Sequence, residues 1–272
     1  MIRYPTGFGV RINLTATLNG PQVYYPEPLL DLLPAGTCWA HWSPRNLGHT
    51  AAGWSPCAAM LGGAVHPKEA LSNVESGALI LLRNDMEQGA VRAGADTVKA
   101  AARRHADQLA VLREWALAGD LEYAWAGPQW NVNRENLGLV GDWFHEMRQH
   151  QGYARSGHRL AIHLYGAYDT ASFWEIVDGF EAWRADKVPE IPVIVTEFSG
   201  WPGTSLEQQI EVMTAGFEYL RSRDYVEWVA WFSGYQFGND AGQSWGTELA
   251  EVSETGGVSL TALGEHFARS VL

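Results

Sequence analysis

Glu197 closes an apolar run, residues 191–198 (Ile-Pro-Val-Ile-Val-Thr-Glu-Phe), and leads into Ser199, Gly200 and Trp201. Burying a carboxylate without a partner is costly, so an acid in that setting reads as a working group. The bland alternative is a strand-end glutamate neutralised by an arginine. A second acidic cluster follows another apolar run: Leu79-Ile-Leu-Leu gives way to Arg83, Asn84, Asp85, Met86, Glu87 and Gln88. Three ionisable groups and two amides suit acid–base chemistry, with a solvated loop of incidental charges as the alternative. His163 and Tyr165 stand two apart in Ala161-Ile-His-Leu-Tyr165, which puts both on one face of a strand, in reach of a carboxylate or a ligand hydroxyl.

Aromatic residues supply the other chemical signal. The chain holds 13 Trp, 10 Tyr and 9 Phe. Sugar rings present apolar C–H faces that stack on flat aromatics, so the surplus fits a carbohydrate cleft; large barrels also use Trp as filler. Trp231, Trp130, Trp42 and Trp201 fall at or just beyond the ends of apolar runs and are the candidate stacking platforms.

Positioning these residues requires a scaffold with many strand ends converging. Eight short apolar runs qualify as strands: residues 7–14, 37–42, 57–61, 78–82, 123–126, 160–165, 192–198 and 226–232. The last five are dominated by aliphatic and aromatic residues, with polar groups gathered at their C-terminal ends. Helix-like segments separate the later runs, at 96–118, 137–151, 171–184 and 205–223, with Asp169-Thr170 and Ser205-Leu-Glu-Gln208 as N-terminal caps. Strands alternating with helices predict a parallel sheet covered on both faces, and eight such units predict a (β/α)8 TIM barrel. No repeat or linker divides the chain, so residues 1–272 read as one domain, with 243–272 forming a final loop and helix. In such a barrel the chemistry sits at the C-terminal ends of the strands.

In this order the motifs resemble the retaining glycosidases of clan A, whose two acids lie on strands four and seven, and most resemble glycoside hydrolase family 128, small barrels that cleave β-1,3-glucans. The resemblance runs through Trp39-Ala-His-Trp42-Ser43 on the second strand, Pro56 to Gly63 on the third, Ala126-Gly-Pro128 on the fifth, Ile162-His-Leu-Tyr-Gly166 on the sixth, Val195-Thr-Glu-Phe198 on the seventh and Val226 to Phe232 on the eighth. Where the family has Asn-Glu-Pro, this chain reads Asn84-Asp85-Met86. Asp85 is one methylene shorter than the family's acid, and Glu87, two residues on, is the other candidate. The resemblance implies Glu197 as nucleophile and Asp85 or Glu87 as acid/base. It also implies that Asn84, His163 and Tyr165 orient the nucleophile and the sugar, in an enzyme expected to cut within chains.

Charge and composition exclude several other classes. A formal net charge of −12 repels phosphate backbones, so nucleic acid is not an expected partner. No apolar run is long enough to span a membrane. The start, Met1-Ile2-Arg3-Tyr4-Pro5, shows no basic region followed by an apolar one, so no signal peptide is expected. Nine histidines without paired spacing and two cysteines, Cys38 and Cys57, imply neither a metal site nor a disulfide framework, and no organic cofactor is implied. The expected partner is an oligo- or polysaccharide, β-1,3-glucan-like or a bacterial or phage-targeted polymer. The competing class is a carbohydrate-binding barrel that has lost its general acid.

Overall fold

The computed structural model describes residues 7–11, 26–34, 37–41, 58–61, 79–82, 95–119, 124–132, 136–149, 158–234, 246–253 and 255–270. Asn84, Asp85, Glu87, Trp42 and Cys57 lie outside them. Eight strands run parallel in chain order: β1 (Gly7–Arg11), β2 (Cys38–His41), β3 (Ala58–Leu61), β4 (Leu79–Leu82), β5 (Ala124–Asn131), β6 (His158–Ala167), β7 (Val193–Gly200) and β8 (Val226–Phe232). Pairing of β1 with β8 closes them into the expected barrel. The helices are α1 (Pro26–Leu30), α2 (Ala95–Ala118), α3 (Leu137–Arg148), α4 (Thr170–Lys187), α5 (Leu206–Arg221) and α6 (Ala262–Ser270). Among the described residues no helix is long and apolar enough to cross a membrane.

Local chemistry starts the two helices nearest the candidate site. Asp169 caps α4 by accepting from Ser172 N at 2.8 Å, and Ser172 Oγ returns a bond to the cap backbone. Ser205 and Gln208 form the equivalent reciprocal box on α5. Each satisfies amide donors that the first helical turn leaves orphaned.

Strand alternation divides the side chains into two layers. Leu160, Ile162 and Leu164 of β6, Val193, Val195 and Phe198 of β7, and Val229 and Trp231 of β8 point outward. They join Phe173, Val177, Phe180, Val212, Met213 and Phe217 of α4 and α5 in one buried cluster. The alternate residues fill the barrel interior. Ala161, Ile194 and Trp228 stand level across β6, β7 and β8 and are all fully buried, a small, a medium and a large side chain side by side.

Strict alternation breaks at the mouth, and the breaks decide what faces the interior. Ile162 pairs with Val195 but His163 with Glu197, so β7 carries one extra residue, Thr196, relative to β6. The pairing of β7 with β8 shows the same excess, Val195 with Val229 and Phe198 with Trp231. Thr196 Oγ1 donates to Ile162 O at 3.2 Å and ties this bulge to β6. A one-residue slip moves every later side chain to the opposite face. Without it Glu197 would share the outward face of Val193 and Val195. A second shift, between Leu164 and Ala167 of β6, includes Gly166, whose φ of 104° suits glycine alone. A third lies between Ala126 and Gln129 of β5, where Pro128 needs no ladder donor. This explains why β5 continues to Asn131 although Gly127-Pro128 reads as a strand end.

Residues 243–272 are expected as a loop and a helix. The described part instead adds a two-stranded antiparallel hairpin, β9 (Ala250–Val252) and β10 (Val258–Leu260), ahead of α6. It docks on the end of β8, with Leu249 N donating to Ser233 O and Ala250 N to Gly234 O. Three-residue strands are too short for alternation to betray them.

One outer-layer network gives a pH signature. Glu181 of α4 accepts from Tyr219 Oη and Tyr225 Oη at 2.5 Å each and from Arg223 Nε at 2.7 Å. Burial pushes its carboxyl up, but the bonds from Tyr219, Tyr225 and Arg223 outweigh that and hold it below the usual value of 4.5. Because the folded value is the lower one, the stabilisation is present above pH 4.5 and is lost as pH falls through the folded value. Glu181→Gln should therefore lower unfolding stability by about 2 kcal/mol at pH 7. Denaturant titrations should show the difference shrinking below pH 4.5; a constant difference would refute the linkage.

Candidate active site

Glu197 lies in the C-terminal half of β7 with only 4% of its surface exposed. Tyr165 Oη donates to its Oε2 at 2.7 Å, and His163 Nδ1 stands 3.5 Å from the same oxygen. His163 is fully buried, and its ring meets Tyr165 edge-on with centroids 5.8 Å apart. The two-residue spacing on β6 delivers both rings to one face, and the bulge at Thr196 brings the carboxylate to meet them. With the Tyr165 hydroxyl as donor, this contact helps to fix the orientation of the planar carboxyl group. The polar contacts of Glu197 include Tyr165 and His163.

Two further residues share this level and were not singled out by sequence. Asn131, at the end of β5, pairs with His163 in register and so lies on the interior face of its strand. Its signal was hidden behind the Gly127-Pro128 break. Phe232 ends β8 and meets Tyr165 edge-on, centroids 5.9 Å apart. It alternates with Trp231, and alternation would have found it had the facing of β8 been known.

The tryptophans divide sharply. Trp231 pairs in register with Phe198 on the outward face, is fully buried, packs on Phe198 (5.1 Å) and Phe217 (6.3 Å), and donates Nε1 to Thr247 O at 2.8 Å. Trp130 pairs with Ile162 on the same outward face and is likewise fully buried. Neither offers a face to a sugar, because strand alternation places both between sheet and helices, and the expectation of stacking platforms there is corrected to core packing. Trp201, directly after β7, is 43% exposed. Asn84, Asp85, Glu87 and Trp42 are outside the described residues; β4 ends at Leu82, three residues before Asp85.

Solved structures share this architecture at low identity. A family 128 (subgroup VI) exo-β-1,3-glucanase from Aureobasidium namibiae aligns with a TM-score of 0.68 at 16% identity, covering 96% of both chains. A subgroup II endo-β-1,3-glucanase from Sorangium cellulosum gives 0.65 at 17%, covering 98% of both. A subgroup I endo-β-1,3-glucanase from Amycolatopsis mediterranei, solved with laminaritriose and laminaribiose, gives 0.62 at 18%, covering 98% of this chain and 99% of that one. At these identities the likeness establishes the fold. No curated protein sequence matches the chain. The model of the family described as glycosyl hydrolase catalytic core matches residues 34–267, a span that runs from just before β2 into α6 and takes in Glu197, His163 and Tyr165. With a match over most of its length, the chain belongs to the glycosyl hydrolase catalytic core family.

Proposed function

We propose that the chain is a retaining glycoside hydrolase acting within β-1,3-linked glucans, with residues 1–272 as one catalytic domain. The observation that carries the reading is Glu197: a buried carboxylate at the mouth of an eight-stranded barrel, bonded by Tyr165 and flanked by His163. The family assignment and the substrates named for the glucanases of like fold support it. Glu197 attacks the anomeric carbon, the glycosidic C–O bond breaks, and Asp85 or Glu87 gives a proton to the leaving oxygen. The same acid then takes a proton from water, which displaces Glu197 and returns the original anomeric configuration. Retention requires the two carboxyls about 5–5.5 Å apart. Asn84 is assigned to the sugar hydroxyl next to the reacting carbon, and Trp201 and Trp42 to stacking.

Proton NMR of the first product released from a β-1,3-glucan oligomer tests the mechanism: the β anomer is expected, and the α anomer would replace double displacement with inversion. Asp85→Asn and Glu87→Gln separate the acids. The variant of the true acid keeps activity on an activated aryl glycoside and loses it on the glucan; if neither differs from wild type, the acid lies elsewhere. A ladder of oligosaccharide products is expected for internal cleavage, against a single small sugar for exo action. Asp85 in place of a longer glutamate favours a second reading, a glycan-binding barrel without turnover, which binding with no sugar released would establish.

A further inference from the structure

Tyr168 and Trp201 are large aromatic residues left half-open to solvent, at 52% and 43% exposure, and their rings touch with centroids 5.5 Å apart and planes 38° apart. Tyr168 directly follows β6 and Trp201 directly follows β7, so the pair lies on the mouth side of the barrel, on the two strands that carry His163, Tyr165 and Glu197.

The stem of Trp201 is fixed. Its N–H donates to Ala167 O at 2.7 Å, and its carbonyl accepts from Gln209 Nε2 (3.0 Å), Thr204 Oγ1 (2.8 Å) and Thr204 N (3.2 Å). Trp201-Pro202-Gly203-Thr204 is a turn with Pro at its second position and Gly203, φ 84°, at its third, the type II pattern. Gln209, fully buried on α5, braces the turn further by accepting from Gly200 N at 3.1 Å. Tyr168 is held by its N–H donating to Ser172 Oγ at 2.8 Å, inside the cap of α4. Two exposed rings on such braced backbones form a preformed apolar patch rather than mobile surface side chains.

We infer that Tyr168 and Trp201 together form a stacking subsite for a glycan chain at a distance from the bond being cleaved. The inference rests on the carbohydrate reading above and extends it from the reacting sugar to the length of polymer engaged. The occupant is a sugar chain because the patch continues the mouth of the Glu197 site and because C–H faces of sugar rings match flat aromatics while their hydroxyls stay solvated. Trp201 follows Glu197 by four residues, roughly 13 Å of extended strand, which a single sugar ring does not span. Long chains therefore gain from the patch and short ones do not.

The test uses the full chain carrying Glu197→Gln, so that ligand persists, titrated calorimetrically with β-1,3-linked glucose hexasaccharide and disaccharide. Trp201→Ala and Tyr168→Ala in that background should each weaken hexasaccharide binding about tenfold and disaccharide binding by less than roughly twofold. Thermal midpoints should be unchanged, since both rings are exposed. Equal losses at both lengths, or no loss at either, overturn the subsite. If neither β-1,3 oligomer binds the parent, the glucan reading fails separately, and the variants are compared on whichever glycan of a linkage panel does bind; the same length-dependent loss is required there. Binding of no glycan on the panel overturns both.

Discussion

Glu197→Gln is expected to reduce hydrolysis of a β-1,3-glucan by roughly 10⁴-fold or more, with the thermal midpoint within a few degrees of wild type. The size follows from chemistry: an amide cannot form the glycosyl-enzyme, so the two-step path closes instead of slowing. The unchanged midpoint follows from geometry. The glutamine carbonyl is isosteric with the oxygen that accepts from Tyr165 at 2.7 Å, so the bond from the Tyr165 hydroxyl is kept. A kinetic signature separates nucleophile from structural acid. Glu197→Ala supplied with azide should regain turnover and release a glycosyl azide of inverted configuration, because azide enters from the face that Glu197 vacates. Turnover retained in Glu197→Gln, or a product of retained configuration in the azide experiment, would remove Glu197 from the nucleophile's role.

Trp231→Ala separates core from cleft. The indole is fully buried between β8 and the helices, edge-on to Phe198, with Nε1 on Thr247 O. Truncation leaves a large cavity and a buried carbonyl without its donor, for a loss of ~3–5 kcal/mol. In a chain of this size that lowers the midpoint by about 10 °C. Substrate affinity of the folded fraction should be unaffected. A sugar platform would behave oppositely, with a steady midpoint and a raised KM, and that result would return Trp231 to the cleft. Trp201→Ala provides the internal contrast, since the exposed ring should show the opposite pattern.

Much of the fold was legible because its determinants are local. Eight apolar runs bounded by polar strand ends, and helices announced by Asp169 and Ser205, report burial and capping that each segment satisfies with its own neighbours in sequence. The β9–β10 hairpin was not legible, because three-residue strands carry no period.

The site was legible in residue type and only partly in direction. His163 and Tyr165 need one strand and a period of two, and the sequence contains both. Glu197 differs: counted by alternation from Val193 and Val195 it belongs on the outside of the barrel. Only the pairing of β7 with both neighbours shows that Thr196 is an extra residue and that the carboxylate therefore turns inward. On β8 the pairing with β7 likewise passes over one residue, Glu227, and the register beyond it sets Trp231 opposite Phe198 on the outer face, leaving Phe232 to the interior. Sequence alone thus determined that an acid, an imidazole and a phenol stand at adjacent strand ends of one barrel. The tertiary structure decided which way each strand faces, because facing is a property of register between strands, and register is set by partners far away in the chain.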